Sequence, residues 1–195
     1  AGQATAEGVL EILAAVRRPL AANRYAAVAA ILPSLIRDAG TLDGHDGGAR
    51  SRVLNLTAWL LTQTRQWDDA EDAARMARDA SRGDRLDDAS AVSTLCWSLL
   101  RQGRLAEARE LATGEADKIE PRFSAATPRE LATWGRLLLA ATNAAIRDNR
   151  PGEAADVLSL ARAAAGRIGQ EVSLDGSTTR TFGPVSVMMI MAENA

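Results

Sequence analysis

Four short segments decide the fold: NRYAAV at residues 23–28, RQWDDA at 65–70, GRLAEA at 103–108 and NRPGEA at 149–154. Each begins with residues that favour a tight turn and continues with small residues that favour a helix. The last residues of the four segments are 42, 38 and 46 positions apart. A spacing of this size is typical of a repeated unit of two helices joined by a turn.

The chain around these segments has the apolar spacing of helices. Leu54, Ala58 and Leu61 follow the three-and-four spacing of a helix face, and no strand is predicted. Thr127 to Glu130 has the pattern of a helix start, as do Asp84 with Asp87, and Pro184. Turn-forming residues predict breaks between helices at residues 23, 40–48, 65–66, 83–84, 103, 120–127, 149–152 and 169–183.

Small residues support a repeated packing of these helices. Ala58, Cys96 and Thr142 each stand twelve residues before the end of a turn segment, where they would let two antiparallel helices approach closely. We therefore predict an all-α fold, a right-handed superhelical array of antiparallel, tetratricopeptide-like helix hairpins. We expect residues 1–22 to form a leading helix that packs on the first repeat, and residues 23–195 to form about four repeats, truncated at the C-terminus. The alternative is an alanine-rich bundle without repeats.

Composition excludes several classes of protein. The 195 residues are 47% hydrophobic and carry a net charge of −2, which is not the basic excess of a nucleic-acid-binding domain. One cysteine excludes an internal disulfide framework, and one histidine excludes histidine-pair metal sites. No apolar run is long enough to cross a bilayer, so we expect a cytoplasmic location. Because Ala1 is not an initiator methionine, the chain is expected to be part of a longer protein.

The candidate reactive residues do not form a recognisable active site. His45 lies in a glycine-rich loop without a second histidine, and Cys96 lacks a nearby histidine that would activate it. The acidic residues from 68 to 88 match no calcium loop and are interpreted as a solvated helix face. We therefore expect no enzyme activity, no metal and no cofactor.

A concave binding groove is the remaining candidate site. In hairpin repeats the first helix of each pair lines the inner surface, and the register of the turns assigns its positions. Arginine suits carboxylates or phosphates, asparagine suits a peptide backbone, and tryptophan offers apolar area. The predicted groove residues are Arg52, Asn55, Trp59, Gln63, Ser93, Trp97, Arg101, Arg136, Asn143 and Arg147.

Packing is the alternative role for the aromatic residues. Trp59 and Trp97 occupy the same repeat position, where each either lines the groove or acts as a wedge between hairpins. Tyr25, Trp67 and Leu105 directly follow the turns and are predicted to be wedges. Trp134 fits either role.

Several segments resemble one protein family. The segments are Ala26 to Ala39, residues 102–108, residues 147–154 and the Phe-Gly-Pro of Thr181 to Val187. They are similar to the C-terminal tetratricopeptide-like region of actinobacterial helix-turn-helix transcriptional regulators of the Cro/repressor type, the XRE family. The resemblance implies a DNA-binding domain N-terminal to this region, and residues 1–22 do not supply one.

The resemblance and the groove together predict a sensing or interaction domain. We expect it to bind a peptide, protein or small-molecule effector and to transmit the effect of binding to the DNA-binding domain. Contact with DNA is expected only through that N-terminal domain. The alternative is an oligomerisation scaffold such as a homodimer. The apolar residues from Val185 to Met191 suggest it, because they need a partner.

Overall fold

The computed structural model describes residues 4–42, 48–81, 83–174 and 181–193. Across these ranges it contains nine α-helices and one antiparallel pair of two-residue strands, so the chain is all-α. The helices are separated at all eight predicted breaks. Their bounds are α1 (Ala6–Ala21), α2 (Tyr25–Gly40), α3 (Ala49–Gln63), α4 (Trp67–Ala80), α5 (Arg85–Arg101), α6 (Leu105–Ile119), α7 (Pro128–Arg147), α8 (Pro151–Ile168) and α9 (Pro184–Glu193).

The strands correct the expectation that the chain forms none. They are β1 (Val172–Ser173) and β2 (Thr181–Phe182), in which Val172 pairs with Phe182 and Ser173 pairs with Thr181. Two residues are too few to show the alternating pattern by which a strand is recognised in a sequence.

The four repeat turns share one backbone geometry. Each turn contains one residue in the left-handed conformation. The residue that follows it donates its N–H to the carbonyl five residues earlier, at 2.8–3.0 Å in all four turns. This bond and a left-handed residue are the elements of the Schellman motif that ends a helix. Glycine and asparagine tolerate the left-handed conformation best, which explains three of the four residues found there. The left-handed residues are Asn23, Arg65, Gly103 and Asn149, with φ of 54°, 61°, 78° and 55°.

The described residues form two compact units, one of residues 4–91 and one of 92–174 with 181–193. Helix α5 contributes its first residues to the first unit and the remainder to the second. In the first unit, α1 to α4 pack each against the next along the chain. The buried residues of α1 and α2 have the spacing of one helix face: Val9, Leu13, Val16 and Leu20 in α1, and Val28, Leu32, Leu35 and Ala39 in α2.

In the second unit, α7 is the central element because it packs against α6, α8, α9 and both strands. The predicted capping box begins this helix: the Thr127 hydroxyl accepts the Glu130 N–H at 3.2 Å, and the Glu130 carboxylate accepts the Thr127 N–H at 2.8 Å. Phe182 of β2 is fully buried and lies directly on Gly135, in the middle of α7. The hairpin of β1 and β2 is thus fixed against α7 by a ring that only glycine can accommodate.

The small residues predicted at the helix contacts are buried. Ala58, Cys96 and Thr142 are at most 1% exposed. The residues that end the turn segments are at most 4% exposed: Val28, Ala70, Ala108 and Ala154. None of the helices described is both long enough and apolar enough to span a membrane.

Gly135→Ala should destabilise the second unit. The added methyl group would overlap the buried Phe182 ring, and overpacking of this kind costs about 1–3 kcal/mol. Gly114→Ala in α6 is the matched control because its methyl group would meet open space, and it should add about 0.5–1 kcal/mol. Urea unfolding of both variants measures the difference. Equal stability of Gly135→Ala and the unmodified chain would contradict the packing described.

Candidate functional site

The ten predicted groove residues are divided between the two units. Four lie on α3 in the first unit, and six lie on α5 and α7 in the second. The two groups have different surroundings.

In the first unit, three of the four predicted residues make internal contacts. The Arg52 guanidinium pairs with the buried Asp87 carboxylate at 3.3 Å, and the Asn55 amide donates to the Ser90 hydroxyl at 3.2 Å. Trp59 is only 8% exposed and contacts the Tyr25 ring edge-on, with 5.9 Å between the ring centroids. Trp59 thus belongs to the core of this unit, which was the alternative interpretation of this residue. Gln63 is half-buried.

In the second unit, five of the six predicted residues surround one pocket of about 460 Å³, a volume in the range of small-molecule sites. We call it the Trp97 pocket. Its lining comes from one face of α5, one face of α7 and two residues of α9. The lining residues are Ser93, Cys96, Trp97, Leu100, Arg136, Ala140, Asn143, Arg147, Ile190 and Glu193.

The α7 wall of the pocket carries a row of hydrogen-bond donors. Arg136, Asn143 and Arg147 lie on one stripe of the helix, because they are separated by seven and four residues. The two arginines are about 16 Å apart along the helix axis, at 1.5 Å per residue, with the asparagine amide between them. The pocket therefore offers an extended row of donors that suits carboxylate or phosphate groups.

The α5 wall supplies the aromatic surface. Trp97 is half-buried, and the Arg101 guanidinium lies over its ring at 5.4 Å from the centroid. The indole N–H of Trp97 is buried and has no hydrogen-bond partner among the described residues. A buried donor without a partner is unfavourable, so this N–H is an unfavourable element in the packing of Trp97.

Helix α9 forms the third wall, and Glu171 holds its first turn. Pro184 has no N–H, and the next two backbone N–H groups, of Val185 and Ser186, donate to the Glu171 carboxylate at 2.8 and 3.0 Å. The hydroxyls of Ser186 and Thr181 also donate to this carboxylate, at 2.7 and 2.8 Å. One carboxylate thus joins β2 to the N-terminus of α9, where negative charge is favourable.

The same contacts determine the pKa of Glu171. Burial acts to raise this pKa and is the largest single influence. The hydrogen bonds from Ser186, Thr181 and Val185 act in the opposite direction, and together they hold the pKa of Glu171 below its ordinary value.

Sequence reasoning missed part of the pocket. The α9 residues Ile190 and Glu193 lie outside the repeat register, and Glu171 lies in the segment that was predicted to be only a break. The helix start at Pro184 was the available signal, because it predicts a further helix. The sequence suggests a missing partner for that helix, whereas it packs on α7 and α8.

The other described candidate residues lie outside the Trp97 pocket. Trp134 is 2% exposed and packs edge-on against Phe123, so it is a core residue. The prediction that the acidic residues from 68 to 88 form a solvated face is wrong for Glu71, which is buried. Asp87 is also buried, although it lies in the first turn of α5 as predicted for a helix start. No cluster of three potential metal ligands exists among the described residues, and His45 lies outside them.

Glu171→Gln should weaken the attachment of α9. At neutral pH we expect a loss of about 1 kcal/mol in unfolding free energy, the usual cost of removing a helix cap. A carboxylate with a lowered pKa stabilises the fold above its ordinary pKa, and this contribution is lost as the pH falls through the lowered value. The gap between Glu171→Gln and the unmodified chain should therefore be full at neutral pH and should shrink at an acidic pH below the lowered pKa.

Urea unfolding at both pH values measures this gap. Hydrogen exchange at neutral pH should show that the lost protection lies in α9. Glu110→Gln, an exposed change in α6, is the control. A gap that is the same at both pH values would contradict the role of the charge.

No protein-family model, curated protein or solved structure matches the chain.

Proposed function

We propose that this chain is the effector-binding domain of a transcriptional regulator, and that the Trp97 pocket receives an organic anion. The observation that carries this proposal is that five of the residues assigned by the repeat register line one pocket: Ser93, Trp97, Arg136, Asn143 and Arg147. A domain with this site binds its ligand and does not transform it.

The chemistry of the lining favours an anion with an apolar part. Arg136 and Arg147 carry charges that suit a carboxylate or phosphate. Trp97, Leu100 and Ile190 offer apolar surface on the opposite walls. A volume of about 460 Å³ suits a small molecule or a short peptide segment better than a folded partner.

We also propose that the hairpins form a right-handed superhelical, tetratricopeptide-like array that relays binding to an attached DNA-binding domain. The shared geometry of the four turns supports this arrangement, and the family resemblance supports the relay. A ligand that binds one curvature of the array better than another would shift the population towards it and thereby reposition the attached domain.

Removal of either pocket arginine should weaken anion binding. Thermal-shift screening of carboxylates, phosphates and short peptides identifies a ligand, and tryptophan fluorescence then measures its affinity. Arg136→Gln and Arg147→Gln should each reduce the affinity about tenfold or more, since a hydrogen bond to a charged group contributes about 1.5–3 kcal/mol. Trp97→Phe should reduce it less, because the apolar surface is largely kept.

The matched control is Arg37→Gln, an exposed arginine of α2 in the other unit. Unchanged affinity in both pocket-arginine variants would show that the anion binds elsewhere.

A homo-oligomeric scaffold is the second candidate function, and the exposure of α9 favours it. Val185, Met188 and Met189 are 50–58% exposed and lie on a helix that has no basic residue. A second copy of this chain would remove these apolar side chains from water.

Met188→Ser combined with Met189→Ser should convert such an oligomer into a monomer. Sedimentation velocity over a range of concentrations measures the change. Met76→Ser is the control, since Met76 is 51% exposed but belongs to α4. A sedimentation coefficient of a monomer at all concentrations in the unmodified chain would exclude this function.

A further inference from the structure

The Trp97 pocket contains one acidic residue among its cationic residues. The Glu193 carboxylate comes from the last turn of α9 and shares the pocket with the guanidinium groups of Arg136 and Arg147 on α7. A carboxylate in the lining opposes the binding of a ligand that carries only negative charge. Its presence therefore restricts the class of ligand.

Two of the charged groups that line the pocket, Glu193 and Arg147, have no partner side chain in the described part of the chain. Among the described residues, neither Glu193 nor Arg147 forms a hydrogen bond or an ion pair with another side chain, although both line the same pocket. Both side chains are exposed, so they stand at the entrance where a ligand can reach them.

The position of Glu193 is held by contacts at the other end of α9. Glu171 binds the first N–H groups of this helix, and Val187 is buried with 4% exposure. Helix α9 also packs against α7 and α8. The acidic group is thus carried by a docked helix and does not belong to an unattached tail.

We propose that the ligand of the Trp97 pocket is a zwitterion, a free amino acid or a short peptide with an apolar side chain. This inference rests on the proposed function. The ligand carboxylate binds to Arg147 of α7, the ammonium group binds to Glu193, and the apolar part contacts Trp97 and Ile190. Glu193 then acts as a specificity residue that rejects simple carboxylic acids.

A matched series of probes tests the charge requirement by isothermal titration calorimetry on the full chain. L-leucine carries both charges, 4-methylpentanoate lacks the ammonium group, and 3-methylbutan-1-amine lacks the carboxylate. Tri-L-leucine distinguishes a peptide from a free amino acid. We expect L-leucine or tri-L-leucine to bind at least about tenfold more tightly than either singly charged probe.

Glu193→Gln should remove the advantage of the ammonium group. In this variant L-leucine and 4-methylpentanoate should bind with similar affinity, while binding of 4-methylpentanoate is unchanged or tighter. Glu110→Gln is the matched control, because Glu110 is an exposed glutamate of α6 outside the pocket. It should leave every affinity unchanged.

The outcomes separate this inference from the proposed function. If 4-methylpentanoate binds as tightly as L-leucine in the unmodified chain, the zwitterion is excluded while the anion site stands. The inference is equally overturned if the amine binds as tightly as L-leucine, or if none of the four probes binds at millimolar concentration. The arginine variants and the anion screen decide the proposed function independently.

Discussion

The backbone geometry of the four repeat turns determines how the flanking helices pack. One left-handed residue and one hydrogen bond from the following N–H end the first helix, and the next helix starts two residues after the left-handed residue. Because each turn is this short, the flanking helices must pack directly against each other, as α3 packs on α4 and α7 on α8. Close packing in turn requires small buried residues such as Ala58, Cys96 and Thr142. The small side chains at these buried contacts thus follow from the turns.

The sequence was informative wherever structure depends on neighbouring residues. Caps, turn residues and apolar spacing are local, and they predicted all eight breaks and the capping box at Thr127. The pairing of β1 with β2 is not local, because it depends on Phe182 reaching Gly135 far earlier in the chain. The carboxylate of Glu171 likewise acquires its role only when the hairpin and α9 meet.

The candidate site shows the same division between local and distant information. Five residues that the repeat register assigns to the inner surface, Ser93, Trp97, Arg136, Asn143 and Arg147, line one pocket. The equivalent positions of α3 have other surroundings, because Asp87 and Ser90 supply partners for Arg52 and Asn55, and Tyr25 packs on Trp59. The position of a residue in the repeat predicts which face of its helix it lies on. The side chains that contact this face come from other parts of the chain, and the repeat position does not predict them. The contribution of Glu193 was hidden for this reason.

The contact between Phe182 and Gly135 has a consequence for how this domain can change over evolution. Because the Phe182 ring lies directly on the backbone of α7, only glycine fits at position 135. The absence of a side chain at position 135 in turn leaves the space that the aromatic ring at position 182 fills. The two positions should therefore vary together or not at all. A glycine inside a helix, followed 47 residues later by Phe-Gly-Pro, is a sparse pattern. It would identify distant relatives of this domain even where the remaining sequence has diverged.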